Sequence, residues 1–243
     1  MNSNNYNIMS IPAENTLIED TPLINCGLMS IGMSAPDFTA ETTMGTITMS
    51  DFKGRWVVFF SHPAAFSPVC TTEYLSFANI YESFEERNAQ ILALSVDSNL
   101  THLAWLNEIY DEEGVIIPFP VIADLGGKIA RQYGMISPFA TKAVAARNVL
   151  IIDPNQIVRA VLIYPITNGR NIPEILRLLT ALQVTDEYSV VTPANWFPSQ
   201  PVMVPAPESY AEIVQRKLDA TKMGLSCREW WWCYKQLPTD SWK

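Results

Sequence analysis

The chain has 243 residues, of which 48% are hydrophobic, so it can bury a full core in one large domain or in one domain with an appendage. Its formal net charge is −9 and it contains no cluster of Lys or Arg, which argues against a nucleic-acid-binding surface. No apolar run approaches membrane-spanning length, so we expect no membrane association.

The first 28 residues are Asn-rich and irregular, and we interpret them as an N-terminal arm. The first 52 residues contain no Lys or Arg, so a secretory or mitochondrial targeting segment is not expected. The sequence around Cys26 faintly resembles a lipoprotein cleavage site but lacks the basic start and the apolar stretch. Four cysteines are too few for a disulfide scaffold, and a cytoplasmic redox setting fits better.

After this arm, apolar periodicity predicts alternating strands and helices. The predicted strands are residues 46–49, 56–60, 90–96, 121–123, 143–152 and 157–164, and the predicted helices are residues 68–87, 99–113, 127–133, 171–184 and 208–223. This order predicts an α/β fold, with a central mixed sheet covered by helices on both faces. Five prolines crowd residues 185–207, which indicates an extended connection and not a core element.

Cys70 lies where the first long helix is predicted to begin, after a buried strand and a Pro-rich turn. A cysteine in the first turn of a helix faces unpaired backbone N–H groups and the positive end of the helix dipole. Both of these favour the thiolate form. Cys70 is therefore a candidate nucleophile, and the alternative is an inert buried cysteine at a strand–helix junction.

The residues around Cys70 form a specific pattern. Pro63, Ser67 and Cys70 fit Pro-x-x-x-Thr/Ser-x-x-Cys, and Glu73 completes Cys-Thr-Thr-Glu. Pro63 can shield a thiolate from water without offering a competing donor, and the Ser67 hydroxyl can bind a small oxygen species. The stretch resembles the active site of peroxiredoxins, most closely the peroxiredoxin-6 or 1-Cys subfamily, although threonine is commoner at Ser67. This resemblance covers roughly residues 28–238.

The resemblance implies a thioredoxin-like fold with a C-terminal extension domain. It also implies an antioxidant thiol peroxidase, which reduces hydrogen peroxide and small alkyl hydroperoxides through a sulfenic acid on Cys70. No metal, haem or flavin is expected, and an external thiol such as thioredoxin would complete the cycle. Homodimers, in some members assembled into decamers, are implied as well. We divide the chain into an arm (residues 1–28), a peroxidase domain (29–186) and a C-terminal extension (187–243) that carries dimerisation and the resolving cysteines.

Two arginines complete the predicted site. Arg147 lies early in an apolar strand, where burial of its charge carries a desolvation cost unless an anion pairs with it. The resemblance implies that Arg147 stabilises the Cys70 thiolate and orients the peroxide, and the alternative is a strand-end arginine that reaches solvent. The resemblance also implies that Arg170 pairs with Glu73.

The chain has two histidines. His62 precedes Pro63 and matches the Ser-His-Pro sequence of the subfamily. It could form a hydrogen bond near the mouth of the pocket or relay a proton, and a purely structural role is the alternative. His102 falls on a predicted surface helix, and the sequence assigns it no role.

The C-terminal tail contains Cys227 and Cys233, separated by five residues that include three tryptophans. A zinc site is disfavoured because no further Cys or His ligands lie nearby. An aromatic anchor with incidental cysteines is one alternative, and a thiol that resolves the sulfenic acid is the other. Long-form bacterial and archaeal members of the subfamily have a similar Cys-x5-Cys tail. This resemblance implies that Cys233 resolves Cys70 across a dimer interface, with Cys227 auxiliary.

Other activities have less support in the sequence. A disulfide oxidoreductase of the same fold would need Cys-x-x-Cys, and only Cys70 occupies the helix start. A non-enzymatic holdase, as some peroxiredoxins become, could coexist with a peroxidase. Residues 52–56 contain no serine, so the phospholipase-like motif of animal members is missing and lipase activity is not expected.

Overall fold

The computed structural model describes residues 29–137 and 144–238 of the protein. Within these ranges, seven strands form one sheet and three further strands form a second, small sheet. The strands are β1 Thr39–Thr42, β2 Gly45–Thr48, β3 Trp56–Ser61, β4 Ala89–Ser95, β5 Val121–Ala123, β6 Arg147–Ile152, β7 Val158–Tyr164, β8 Val202–Met203, β9 Leu225–Glu229 and β10 Trp232–Lys235. The α-helices are α1 Pro68–Asn79, α2 Tyr81–Glu85, α3 Asn99–Glu113, α4 Lys128–Gln132, α5 Ile172–Tyr188 and α6 Tyr210–Asp219.

The large sheet is mixed and has the strand order β2-β1-β5-β4-β3-β6-β7. Strand β3 pairs in parallel with β4 and antiparallel with β6, so the strand that leads to Cys70 lies inside the sheet. Successive side chains of a strand point to opposite faces. Val58 and Phe60 accordingly pack into one hydrophobic core, and Val57 and Phe59 pack into another.

Helices cover both faces of this sheet. Phe77 of α1, Trp105 of α3 and Leu179 of α5 belong to the core on one face. Ile129 of α4 belongs to the core on the other face, together with Phe38 from the segment before β1. The predicted α/β architecture, with a central mixed sheet between helices, is therefore confirmed.

Two predicted elements differ in the structure by more than a shift of their ends. The helix predicted over residues 68–87 is interrupted at Ile80, whose backbone leaves helical geometry at φ −118° and ψ 19°. The interruption lets the chain turn between α1 and α2, and Phe84 of α2 is fully buried. The single strand predicted over residues 46–49 is a hairpin, because β1 pairs antiparallel with β2.

The Pro-rich connection over residues 185–207 contributes to a core, so the prediction that it does not is wrong. Trp196 and Val202 are fully buried and pack with Val184 of α5 and with Leu237. The Trp196 indole N–H donates to the carbonyl of Gln200 at 3.1 Å. An extended backbone leaves side chains free to pack, and these apolar residues form a third cluster beneath the tail.

The tail ends in a hairpin. Strand β10 pairs antiparallel with β9 and with β8, and together they make the small sheet. The helix predicted over residues 208–223 is present as the shorter α6. Within the two described ranges, no helix combines the length and the apolar character needed to cross a lipid bilayer.

Candidate active site

The Cys70 side chain is buried in the first turn of α1. Ser67 is the N-cap residue and Pro68 occupies the first helical position, where its missing N–H would have no helical partner anyway. The first main-chain bond at this end runs from the Thr71 N–H to the Ser67 carbonyl at 3.0 Å. Cys70 is fully buried and forms no disulfide. Its sulfur thus lies at the positive end of a 12-residue helix, in a setting that favours negative charge.

Arg147, the first residue of β6, faces this sulfur. Its Nη1 lies 3.4 Å from Cys70 Sγ and also donates to Glu73 Oε2 at 2.7 Å. Its Nε donates to the carbonyl of Ile166 at 3.0 Å. The side chain is 1% exposed, so the alternative of an arginine that reaches solvent is excluded.

Glu73 is held by Arg170 as the sequence analysis expects. The Arg170 Nε and Nη2 donate to Oε1 and Oε2 at 2.9 and 2.6 Å, and its backbone N–H donates to Oε1 at 2.9 Å. The Arg170 Nη1 also donates to the carbonyls of Ser61 and Asn148 at 2.8 and 3.0 Å. Each of these acceptors belongs to or adjoins the central strands, so Arg170 ties α1 to the sheet.

The buried ionic groups beside the Cys70 sulfur carry more positive than negative charge. Glu73, Arg147 and Arg170 are all buried, and one carboxylate between two guanidinium groups leaves one excess positive charge. An uncompensated buried charge is costly. A Cys70 thiolate supplies the missing negative charge directly beside Arg147.

Pro63 and Ser67 lie in the loop between β3 and α1, and both are partly buried. The Ser67 hydroxyl makes no capping bond to α1, so it is available for another partner. The Ala65 N–H donates to Asp97 Oδ2 at 2.8 Å, which fixes the middle of the loop. Phe66, with φ of 58°, adopts the left-handed conformation immediately before Ser67.

His62 is fully buried behind this loop and does not lie at a pocket mouth. Its Nδ1 is 3.1 Å from the Tyr74 hydroxyl. Burial lowers the pKa of His62 well below its ordinary value, and the neighbouring His102 and the two site arginines lower it further. Burial also raises the pKa of Tyr74, with Cys70 as the next contributor, so the phenol remains protonated at neutral pH.

The prediction that His102 lies on a surface helix is wrong. His102 is fully buried on α3, and its Nε2 lies 2.7 Å from Ser95 Oγ. Trp105 and Ile109 are buried on the same helix face. The spacing of these three residues, i, i+3 and i+7, is the sequence signal that places His102 in the interior. Burial lowers the pKa of His102 as well.

Cys227 and Cys233 are joined by a disulfide with an S–S distance of 2.03 Å across the tail hairpin. Cys233 is fully buried and Cys227 is exposed. Because the two tail sulfurs are bonded to each other, neither is bonded to Cys70 in this state of the chain. Cys26 lies outside the described residues.

Comparison with known families places this site in context. The AhpC/TSA family matches residues 31–161, more than half of the chain, and the C-terminal domain of 1-Cys peroxiredoxin matches residues 181–219. The protein belongs to the peroxiredoxin family. A protein named Peroxiredoxin 2 from Caldanaerobacter subterraneus is 51% identical over 224 residues, covering 92% of this chain and all of that relative. A peroxiredoxin from Aquifex aeolicus is 44% identical over 86% of this chain and 98% of its own length.

Solved structures agree with this family. The yeast mitochondrial 1-Cys peroxiredoxin is 34% identical with a TM-score of 0.77, over 86% of this chain and all of the yeast chain. The peroxiredoxin 6 of Arenicola marina is 32% identical with a TM-score of 0.76, over 86% and 99% of the two chains. This peroxiredoxin therefore has the thioredoxin-like fold with a C-terminal extension, and it is a thiol-dependent peroxidase, as the sequence analysis expects.

Proposed function

We propose that Cys70 is the peroxidatic residue of this peroxiredoxin and that it acts on hydrogen peroxide and small alkyl hydroperoxides. The observation that carries this assignment is the 3.4 Å approach of Arg147 Nη1 to Cys70 Sγ inside a buried cluster with an excess positive charge. The thiolate attacks the nearer peroxide oxygen, and the O–O bond breaks. The sulfur becomes a sulfenic acid, and the departing oxygen leaves as water or an alcohol after taking a proton.

Arg147 has two tasks in this step. Its guanidinium stabilises the thiolate before reaction and then the charge that develops on the departing oxygen. The Ser67 hydroxyl and the free N–H groups of the first turn of α1 are the other donors on this side of the sulfur. Pro63 shields the loop side from water. Glu73 and Arg170 position Arg147 and do not touch the peroxide.

The tail cysteines complete the oxidative half of the cycle in this proposal. The Cys233 thiolate of a second chain attacks the sulfenic sulfur of Cys70, forms a disulfide and releases water. Cys227 then attacks the Cys233 sulfur, so that the disulfide passes to Cys227–Cys233 and Cys70 leaves as a thiolate. The hairpin disulfide supports this second exchange, because it is the product that the exchange would leave.

A dithiol donor then reduces the tail disulfide and restores the starting state. The yeast relative is described as resolved through glutathione and thioredoxin systems, and we propose a donor of the thioredoxin class here. We also propose a homodimer, with a decamer as the larger assembly, and a cytoplasmic location. The division into an arm, a peroxidase domain and a C-terminal extension at residues 28/29 and 186/187 is part of the same proposal.

The direct test is stopped-flow measurement of peroxide consumption by the fully reduced protein and by Cys70→Ser. We expect the variant to lose turnover with hydrogen peroxide completely. The matched control is Cys26→Ser, which removes a thiol from the N-terminal arm and should retain the parent rate. Turnover retained by Cys70→Ser would remove the basis of the assignment.

A further inference from the structure

A cluster of three side chains lies beside the active site, and the peroxidase cycle gives it no role. His62 follows β3, Asp97 lies in the turn after β4, and His102 lies on α3. One ring nitrogen of each histidine and one carboxylate oxygen of Asp97 lie within 4.8 Å of one another. The two imidazole centroids are 6.0 Å apart. Three separate segments of the chain thus bring metal-ligating groups to one point.

The hydrogen bonds of Ser95 fix the tautomer of His102. The Ser95 hydroxyl donates its one proton to Asp97 Oδ2 at 2.7 Å. It must therefore accept the bond that it shares with His102 Nε2 at 2.7 Å, which places the imidazole proton on Nε2. The Nδ1 of His102 then carries a lone pair. This atom is buried and has no hydrogen-bond partner among the described residues.

His62 presents a second unpartnered nitrogen. Its Nδ1 is engaged by the Tyr74 hydroxyl at 3.1 Å. Its Nε2 is buried and likewise lacks a hydrogen-bond partner within the described part of the chain. A buried polar atom without a partner lowers the stability of the fold by about 1–3 kcal/mol. Two such atoms in one cluster therefore indicate that an ion or a water molecule binds between these side chains.

Asp97 supplies a carboxylate oxygen. The side chain is partly buried, and its bonds from Ser95 Oγ and from the Ala65 N–H both fall on Oδ2. These two donors orient the carboxylate and leave Oδ1 for a cation. The partial exposure of Asp97 also gives a cation a route into the cluster from solvent.

We propose that His62 Nε2, His102 Nδ1 and Asp97 Oδ1 form a binding site for a divalent transition-metal ion of the zinc class. Two imidazole nitrogens and one carboxylate oxygen are the ligands of many zinc sites, with a water molecule in the fourth position. The site has the supporting bonds that such ligands need, from Tyr74 to His62 and from Ser95 to both other residues. The family resemblance implies no metal, so this site goes beyond what the resemblance predicts.

Binding requires a modest closure of the cluster. Zinc–nitrogen bonds of about 2.0–2.1 Å place tetrahedral ligands about 3.3 Å apart. In the present structure, one potential ligand atom from each of the three residues lies within 4.8 Å of the others. Binding would require rotation of the Asp97 carboxylate and of the two rings to bring the three ligand atoms to this spacing. The alternative to a metal ion is a water molecule that forms hydrogen bonds with His62 Nε2 and His102 Nδ1. Such a water would not require the side chains to move closer together.

The first experiment measures zinc affinity in the full-length chain, free of any affinity tag. The parent for this work is Cys26→Ser/Cys70→Ser with the tail disulfide intact, so that no free thiol competes for the metal. Titration of Zn²⁺ against a chromophoric chelator should give one ion per chain, and Co²⁺ should give the visible absorption of a tetrahedral site. No zinc withheld from a chelator of micromolar affinity would overturn the proposal and leave the water as the guest.

Substitutions then test the ligand set. Asp97→Asn and His102→Gln each remove a ligand and should weaken zinc binding by more than the ~10–100-fold that loss of a supporting residue costs. Ser95→Ala removes only the hydrogen bonds that orient Asp97 and His102, so it should weaken zinc binding by ~10–100-fold. Asp111→Asn, an exposed change on the same helix as His102, is the control and should leave the affinity unchanged. Unchanged affinity in both ligand variants would refute the site.

A second measurement needs no further substitution. The chain has only two histidines, so the ¹⁵N spectrum of their side chains contains only two imidazole rings to assign. Before zinc is added, His102 should show a proton on Nε2. With zinc, the Nε2 of His62 and the Nδ1 of His102 should both shift to values typical of metal-bound nitrogen. Zinc that leaves either nitrogen unmoved would show that it binds elsewhere.

Discussion

Arg170 donates three hydrogen bonds to the carboxylate of Glu73, from its Nε, its Nη2 and its backbone N–H, at 2.6 to 2.9 Å. This bidentate contact, together with a backbone N–H, is the strongest form of arginine–carboxylate pairing. Arg147 shares the same carboxylate through its Nη1 at 2.7 Å, and this nitrogen also lies 3.4 Å from Cys70 Sγ. The Glu73–Arg170 pair thereby holds the guanidinium of Arg147 beside Cys70.

Replacement of Arg147 should slow peroxide reduction. Arg147→Gln removes the positive charge beside Cys70, and we expect kcat/KM for hydrogen peroxide to fall by about 10²–10³. The kcat/KM of Arg147→Lys should lie between the values of Arg147→Gln and the parent. A single ammonium group keeps the charge but cannot bind Glu73, the Ile166 carbonyl and the sulfur together. Stopped-flow kinetics at several peroxide concentrations gives the measurement.

The control for this prediction is Arg159→Lys on the neighbouring strand β7. Arg159 pairs with Asp186 in a partly exposed salt bridge and should leave peroxide kinetics unchanged. A parent-like kcat/KM for Arg147→Gln, with thermal unfolding that shows a folded protein, would contradict the role given to this arginine.

Replacement of Glu73 should destabilise the fold. Glu73→Gln leaves two buried guanidinium groups with no carboxylate between them, and we expect a loss of about 3–5 kcal/mol in the free energy of unfolding. Urea denaturation followed by tryptophan fluorescence measures this change. Glu174→Gln breaks a partly exposed pair with Arg177 and should cost only about 0–1 kcal/mol. Equal effects of the two substitutions would show that burial of the cluster contributes nothing.

The two histidines should make the protein less stable in mild acid. Both have a pKa below the ordinary value of about 6.5, so the unfolded chain binds more protons than the folded protein just below that pH. Their contribution to stability is therefore complete above about pH 6.5 and declines as the pH falls towards the folded pKa values. The free energy of unfolding should change by at most about 1.4 kcal/mol per pH unit for each histidine.

Urea unfolding between neutral pH and pH 5, in the presence of a chelator, checks this decline. The imidazole signals in NMR provide an independent reading, since neither ring should protonate near pH 6.5 in the folded state. A histidine that titrates at its ordinary value would contradict the burial of that ring.

The tail cysteines should have different effects when they are replaced. In Cys227→Ser the second exchange is blocked, so peroxide treatment should accumulate a dimer linked through Cys70 and Cys233. In Cys233→Ser the resolving thiol is missing, and this dimer should not form. Non-reducing gels of peroxide-treated protein distinguish the two, with Cys26→Ser as the control. An equally strong dimer band in Cys233→Ser would assign resolution to another thiol.

The central part of the site could be predicted from the sequence. Cys70 and Glu73 lie one helical turn apart, so local spacing places both side chains on one face of α1. Arg147 and Arg170 lie far along the chain, and the family resemblance was needed to bring them to this site. Contacts such as Arg170 to the Ser61 carbonyl depend on strand order, which local patterns do not contain.

The misassigned features have physical explanations. The apolar residues on both sides of Ile80 keep helical spacing, so periodicity alone continues the helix where the backbone turns. His102 was placed on the surface together with its helix, although the ring is fully buried and its Nε2 bonds to Ser95 Oγ. The strand that contains Cys233 was missed because β8, β9 and β10 have only two, five and four residues, which is too short for a clear alternation of apolar and polar side chains.

The contact between Arg147 and Cys70 also bears on the direction of electron flow. An environment that stabilises a thiolate stabilises the reduced protein, and this raises the reduction potential of any disulfide that the cysteine joins. A disulfide sulfur carries no charge, so oxidation of Cys70 leaves Arg147 with Glu73 as its remaining anionic partner. Among the described residues the buried arginines are Arg147 and Arg170, which both lie at the active site and not at the tail pair. Electrons should therefore pass downhill from the tail thiols to Cys70, and the active-site sulfur returns to its reduced form first.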